Sequence, residues 1–189
     1  IAYAGGSSDG YIQTFDIGTS DNTGPVITFN SLNYDNNQLT VGLNEKAYDA
    51  NSGSGDLEVG DFALSITNGV ATIGSATPTS ISRIGDHQYV LGFSLSGTPN
   101  GSEQLAVIPI ANSIFDINGT ASSTSQSNNT VNLFEKVLPT ISSTALAADN
   151  STITATFSEA VFKSRSASGT GFAGNGDLEV SDFVLSMTG

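Results

Sequence analysis

The sequence predicts an all-β fold in which one sandwich-forming unit is followed by a second, truncated copy of itself. Three observations lead to this prediction. Apolar residues recur at every second position over many short segments, as in strands with one buried face. Turn-forming stretches such as DNN, TNG, GTPNG and INGT separate those segments. An acidic octapeptide occurs twice, as GDLEVGDF at 55–62 and as GDLEVSDF at 176–183. A unit of about seven short alternating strands is typical of an immunoglobulin-like β-sandwich.

Aligning the chain with itself locates the second copy. An offset of 114 residues matches 25–48 with 139–162 and pairs Pro25 and Glu45 with identical residues. The offset is 121 residues for the octapeptide, so the second copy holds seven extra residues. We place them in KSRSASGTGFAGN (163–175), which reads as a loop. The matches predict the end of a preceding module or an N-terminal strand at 1–23, an Ig-like sandwich at 24–137, and the first part of another at 138–189.

Each predicted strand carries one apolar face. The stretch GYIQTFDI at 10–17 reads as a strand ahead of the first copy, and the alternating strands of that copy lie in QLTVGLN, FALSI, HQYVLGFSLSG, EQLAVIPI and TVNLFE. The predicted core residues are Leu39, Val41, Leu43, Phe62, Leu64, Ile66, Tyr89, Leu91, Phe93, Leu95, Leu105, Val107, Val131 and Leu133.

The charge balance excludes several kinds of partner. The chain has 18 acidic and five basic residues, for a net charge of −13. Too few cations are present to neutralise nucleic-acid phosphates or to dock on an anionic membrane. No apolar run has the length of a membrane span, so we expect no membrane insertion. There is no cysteine, which removes disulfides and thiol chemistry. Bound calcium or salty surroundings would relieve the self-repulsion of so acidic a protein.

The octapeptide has two interpretations. Strand parity places Asp56 and Glu58 opposite Leu57, so the apolar face must switch near position 60 before the core strand begins. The octapeptide is thus a corner, where Asp56 and Asp61 cap turns by accepting backbone N–H bonds.

The alternative is a calcium site, because a hard cation takes six to eight oxygen ligands. The candidate ligands are Glu45, Asp49, Asn51, Asp56, Glu58 and Asp61 in the first copy, and Glu159, Asp177, Glu179 and Asp182 in the second. The spacing does not fit an EF-hand, since Gly60 stands where the twelfth-position Glu belongs.

A second candidate position for calcium is the junction before the first copy. SDNTGP at 20–25 places Asp21 and Asn22 directly before its first strand, and only Glu135 is acidic at the matching position of the second copy. An Asx-type turn in a linker is the favoured reading of this stretch.

Enzyme readings find little support in the sequence. The one histidine, His87, stands in an expected hairpin turn, and no triad or phosphate-cradling motif accompanies it. We therefore expect a protein that is not an enzyme.

The run ADNSTITATFSEAVF at 148–162, followed by DLEVSDFVLSMTG, resembles bacterial Ig-like repeats of large exported surface and adhesin-type proteins. FDINGTAS at 115–122 looks like the loop near the end of such a repeat. The resemblance covers about 24–189 and implies a secreted or cell-surface structural module: a stalk, an adhesin segment or a filament subunit. Its partners would be neighbouring Ig-like modules or like subunits, with glycans or other cell-surface molecules as a further class.

The runner-up is a carbohydrate-binding accessory region of a secreted enzyme, which needs aromatic residues clustered on one face. The candidates are Tyr3, Tyr11, Tyr34, Tyr48 and Phe172. A third hypothesis is a half-sandwich that is completed by strands from a neighbouring subunit.

Overall fold

The computed structural model describes residues 21–168 and 171–186. The strand predicted at 10–17 lies outside these ranges, as do Tyr3 and Tyr11. The described part of the chain is all-β, with antiparallel sheets and two short 3₁₀ turns. The strands of its first part are β1 Ile27–Leu32, β2 Gln38–Leu43, β3 Phe62–Thr67, β4 Thr72–Ile73, β5 Ser80–Gly85, β6 Gln88–Gly92, β7 Leu95–Ser96, β8 Gln104–Pro109 and β9 Thr130–Asn132.

Two sheets enclose the core of this first part. One has the order β1-β2-β6-β5 and the other the order β3-β8-β9, and β4 and β7 form a short ribbon. Leu39 and Leu91 are paired across β2 and β6, and Leu64 and Val107 across β3 and β8. These side chains belong to one buried cluster to which both sheets contribute. The arrangement is consistent with a β-sandwich.

The predicted apolar faces are buried. Leu39, Val41 and Leu43 are each at most 1% exposed, which confirms the alternation in β2. The other predicted core residues are buried or packed against the buried cluster. The sequence patterns missed Ile114, which is fully buried, because no alternating run surrounds it.

The second part of the chain repeats the opening of the first. Its strands are β10 Ile141–Leu146, β11 Ile153–Phe157, β12 Ser164–Ser168 and β13 Gly171–Asn175. The β10–β11 register is the β1–β2 register displaced by 114 residues, including the irregularity after the first pair, Ile27↔Leu43 and Ile141↔Phe157. The same apolar positions are open to solvent here: Ile153 is 49% exposed, whereas its counterpart Leu39 is 1% exposed.

The stretch 163–175 is not the loop that its composition predicts. β12 and β13 pair there as an antiparallel ladder from Ser164↔Asn175 to Ser168↔Gly171. Backbone hydrogen bonds hold a ladder together whatever the side chains are, so small polar residues give no alternating signal. The extra residues of the second copy therefore extend a hairpin.

The chain enters and leaves the first sandwich at opposite ends. At the entry end, the Ser122 hydroxyl donates to the Pro25 carbonyl (2.5 Å) and the Val26 N–H donates to the Asn44 side chain (2.7 Å). At the exit end, Asn36 in the β1–β2 turn exchanges two hydrogen bonds with the Phe134 backbone, at 2.7 and 2.9 Å. β1 joins the two ends, and its six residues span about 20 Å.

Candidate metal centre

The entry end brings together three carboxylates that are far apart in sequence. Asp21, Glu45 and Asp116 each place one carboxylate oxygen within 4.8 Å of the other two. The backbone explains the meeting. Glu45 follows β2, whose end is paired with the start of β1, and the Asn44 N–H donates to the Val26 carbonyl (3.0 Å). Asp116 follows Phe115, which exchanges backbone hydrogen bonds with Tyr48 at 2.8 and 2.9 Å.

The loop of Asp116 fixes the orientation of its side chain. Oδ1 accepts the N–H groups of Asn118 (2.9 Å) and Thr120 (2.6 Å). The loop turns through Gly119, whose φ of 84° suits glycine and whose Cβ, if present, would lie 2.4 Å from the Asn51 carbonyl oxygen. Asp116 itself is fully buried, and its Oδ2 has no hydrogen-bond partner. A buried carboxylate oxygen without a donor is unfavourable unless something else satisfies it.

Asp21 forms the Asx-type turn that the sequence predicts. Its Oδ1 accepts from the Thr23 hydroxyl (2.6 Å) and the Thr23 N–H (2.9 Å). Both hydrogen bonds lower the pKa of this exposed carboxyl group, and the bond from the hydroxyl has the larger effect. Asp21 is therefore ionised and held in the cluster by its own turn.

The pKa of Glu45 is affected by the two neighbouring carboxylates. Partial burial raises the pKa of its carboxyl group most, and the negative charge of Asp21 raises it further. The hydrogen bond from Asn44 opposes this rise, and the charge of Asp116 adds the smallest contribution to it. None of the three carboxylates takes part in an ion pair among the residues that the structure describes. The three acidic residues could hold a metal ion, which would supply the missing positive charge.

The octapeptide lies elsewhere and forms the same corner in both copies. Each copy has a 3₁₀ turn, Val59–Asp61 and Val180–Asp182. Each turn is closed by an aspartate: the Glu58 N–H donates to Asp61 Oδ2 (2.6 Å), and the Glu179 N–H donates to Asp182 Oδ2 (2.8 Å). Asp61 is buried, and that burial raises the pKa of its carboxyl group.

The remaining predicted ligands lie around these corners. Asp56 is exposed and faces Arg83 across 3.8 Å, and Glu179 pairs with Lys163 at 2.6 Å. Asp49 lies against Gly55. Asn51 lies against Gly119 through its carbonyl group, and Glu58, Glu159 and Asp177 are exposed. Within the described ranges, Glu45 is the only one of these ten predicted ligands in the three-carboxylate cluster, and Asp21 joins it from the second candidate position before the first copy. Calcium at the octapeptide stays a prediction.

Sequence reasoning missed Asp116 as a ligand. Its signal was present in FDINGTAS, where an acidic residue stands two positions before Asn-Gly, a pattern that favours a tight Asx turn. Sequence reasoning read that stretch only as the end of a repeat, since nothing local indicates that it meets Asp21 and Glu45.

Comparison with known protein families, with curated proteins and with solved structures found no match for this chain. In the described ranges, no helix is both long and apolar enough to cross a membrane. The geometry of the chain itself therefore carries the functional argument.

Proposed function

We propose that the chain is a non-catalytic structural module of tandem Ig-like sandwiches from an exported cell-surface protein, where it acts as a stalk, an adhesin segment or a filament subunit. The observation that carries this proposal is the placement of the chain ends of the first sandwich. The chain enters beside Asn44 and leaves beside Asn36, at opposite ends of β1. Modules connected in this way stack end to end, as a spacer requires.

The contacts between β1 and the segment 126–130, which leads into β9, suit a module that is pulled along its axis. The Ile27 N–H donates to the Gln126 side chain (2.8 Å), and the Asn30 amide donates to the carbonyls of Asn128 (2.8 Å) and Thr130 (3.2 Å). The partners advance in the same direction along both segments, so β1 and β9 run side by side in parallel. Tension between the entry and exit ends then shears these contacts together instead of opening them one after another.

Calcium is the ion that we propose for this module. The chain has a net charge of −13, and its acidic cluster offers only hard oxygen ligands, which calcium prefers. A bound divalent cation would offset the like-charge repulsion at the entry end and stiffen it.

A glycan-binding platform has less support. Of the aromatic candidates whose side chains the structure describes, Tyr34 packs against Phe134 at the exit end, with ring centroids 5.3 Å apart. Tyr48 pairs with Phe115 near the entry end. The two residues therefore lie at opposite ends of the sandwich and do not form one cluster.

Single-molecule force measurements test the proposal, because the absence of native cysteine allows handles at chosen sites. One sample is pulled between the N-terminus and Val137→Cys, along the proposed axis. The matched control is pulled between Asp35→Cys and Val137→Cys, both at the exit end, which unzips the strands in sequence. We expect a clearly higher rupture force along the axis. Residues 25–134 extend to about 385 Å at ~3.5 Å each, and the folded module already spans about 20 Å, so the step should be about 360 Å. Equal forces in the two geometries would contradict a tension-bearing spacer.

A further inference from the structure

We propose that Asp21, Glu45 and Asp116 bind one calcium ion that fastens the segment before β1 to the entry end of the sandwich. This inference deepens the proposed function and rests on it for the identity of the ion. It adds the binding site and what binding does to the chain: the ion makes the attachment of the entering segment dependent on calcium.

The first observation is the convergence of the cluster. Its three members come from the entering segment, the end of β2 and the loop after Ile114, and their carboxylate oxygens lie within 4.8 Å of one another. An ion at this point would cross-link three segments that are otherwise joined there by hydrogen bonds. The entering segment already lies tightly on the loop, because a Cβ at Gly24 would be 2.1 Å from the Ala121 carbonyl oxygen.

The second observation is independent of the clustering. Asp116 is 0% exposed, two N–H groups satisfy its Oδ1, and its Oδ2 has no partner. The loop thus orients a buried carboxylate and leaves one of its oxygens free for a ligand. A bound cation would coordinate that oxygen and would also reduce the repulsion of Asp116 with Asp21 and Glu45.

The donor set selects a hard ion. All three ligands are carboxylates, and His87, the one histidine of the chain, lies in the β5–β6 turn, so nitrogen or sulfur ligands for zinc are not supplied. All three ligands lie outside the strands, and Asp21 is exposed. Such a site adapts to the flexible, six- to eight-coordinate shell of calcium better than to the strict octahedron of magnesium. Backbone carbonyls and water would complete the shell, and we expect a Kd of about 10⁻⁴ M, in the range of extracellular calcium modules.

The ion would hold the entering segment. Without it, Asp21 is retained near Glu45 and Asp116 against like-charge repulsion. With it, the net charge at the cluster falls from −3 to −1, counting three carboxylates and one divalent ion. Residues 21–24 then become part of the folded unit, so that whatever precedes them takes a fixed direction from the entry end.

Asp116→Asn is the informative variant. The amide keeps the oxygen that accepts from Asn118 and Thr120, removes one negative charge, and replaces the unpartnered oxygen by a donor that can face the carboxylate of Glu45. It should abolish calcium binding and yet stabilise the metal-free protein. Asp35→Asn is the matched control, since Asp35 is an exposed aspartate at the exit end and outside the cluster.

The test titrates calcium chloride into the full 189-residue chain by calorimetry and records thermal unfolding in calcium and in EGTA. We expect wild type and Asp35→Asn to bind calcium, with a rise in Tm of roughly 10 °C at 100 times the Kd. Magnesium alone should bind at least about tenfold more weakly. Asp116→Asn should show no binding, a Tm in EGTA at or above that of wild type, and a Tm in calcium below it. A substitution that only weakens the fold would lower the Tm both in EGTA and in calcium, so it would not reverse the order of the two proteins.

Hydrogen exchange of peptides covering residues 21–26 tests the fastening. Calcium should slow exchange there in wild type and leave Asp116→Asn unchanged. If Asp116→Asn fails to fold, Glu45→Gln replaces it, because within the described residues the side chain of Glu45 accepts a hydrogen bond only from the Asn44 amide.

Three outcomes overturn the inference: wild type binds no calcium, Asp116→Asn binds as tightly as wild type, or calcium binds without slowing exchange at 21–26. The force measurement tests the spacer function independently of these results. A calcium site without a mechanical difference between the two pulling geometries would refute the spacer function and leave the ion site in place.

Discussion

Glu103 is the side chain whose replacement should most damage the first sandwich. It is a fully buried carboxylate without a cationic partner in the described part of the chain. Oε1 accepts the N–H groups of Val70 (2.9 Å) and Ala71 (3.0 Å), and Oε2 accepts those of Asn100 and Gly101, both at 3.0 Å. Burial alone would raise the pKa of Glu103, but these N–H donors outweigh it and lower the pKa to about 2. One charge therefore ties the turn after β3 to the turn before β8.

The magnitude for Glu103→Gln follows from that geometry. Glutamine keeps one accepting oxygen and turns an NH₂ group toward two backbone N–H donors. Two charge-assisted hydrogen bonds are lost, and the two buried backbone N–H groups that made them then face the NH₂ group, which is also a donor. At about 1.5–2.5 kcal/mol for each lost bond, the free energy of unfolding should fall by ~3–5 kcal/mol. This loss corresponds to a decrease in Tm of about 12–20 °C.

Urea unfolding of the full chain in EGTA at pH 7 measures the loss, with Glu135→Gln as control. Glu135 is an exposed glutamate outside this network, so its replacement should change the free energy of unfolding by less than about 0.5 kcal/mol. The slope m should be the same in both variants, since the surface exposed on unfolding is unchanged. A loss below about 1 kcal/mol for Glu103→Gln would refute the reasoning that the four N–H bonds need the charge.

The pH dependence of stability should distinguish Glu103, whose pKa is lowered in the folded protein, from Glu45, whose pKa is raised. The folded pKa of Glu103 is depressed, so its stabilisation is present above about pH 4.5 and is lost as the pH falls toward about 2, and Tm measured against pH should decline there in wild type and stay flatter in Glu103→Gln. The folded pKa of Glu45 is raised, so in EGTA its contribution should improve as the pH falls from 7 through that pKa, and calcium should reverse this trend. Asn36→Ala should cost about 2–4 kcal/mol in urea, because it removes two hydrogen bonds at a φ of 55°, whereas Asn150→Ala at a φ of 58° on an exposed turn should cost only about 1 kcal/mol. Gly119→Ala should lower the Tm and weaken calcium binding at least about tenfold in calorimetry, since the added Cβ would meet a backbone oxygen at 2.4 Å and displace the loop.

The strand faces were predictable because they depend on a local period. Leu39, Val41 and Leu43 alternate in sequence, and a strand must turn alternate side chains to the same face. The corner at 55–62 was predictable for the same reason: its parity breaks before Phe62, and the chain makes a 3₁₀ turn at Val59–Asp61 before β3 begins. The hairpin of β12 and β13 was not predictable, since its pairing rests on backbone bonds that leave no apolar period.

The candidate metal centre was predictable in part, and the β1–β2 register explains which part. An antiparallel hairpin pairs Ile27 with Leu43, so residues shortly before β1 must lie near residues shortly after β2. Asp21 and Glu45 satisfy that relation, and Glu135 and Glu159 repeat it 114 residues later.

The third ligand required the tertiary fold. Asp116 is 71 residues beyond Glu45 and arrives through the pairing of Tyr48 with Phe115, which no local pattern indicates. The octapeptide carboxylates, in contrast, lie close together in sequence, but among the described residues they do not belong to the group of three whose oxygens meet within 4.8 Å. Closeness along the chain therefore pointed to the octapeptide, whereas the ends of paired strands brought together the oxygens that could hold an ion. For this reason Asp116→Asn, rather than a change at Asp56, is the substitution that tests calcium binding at the three-carboxylate cluster.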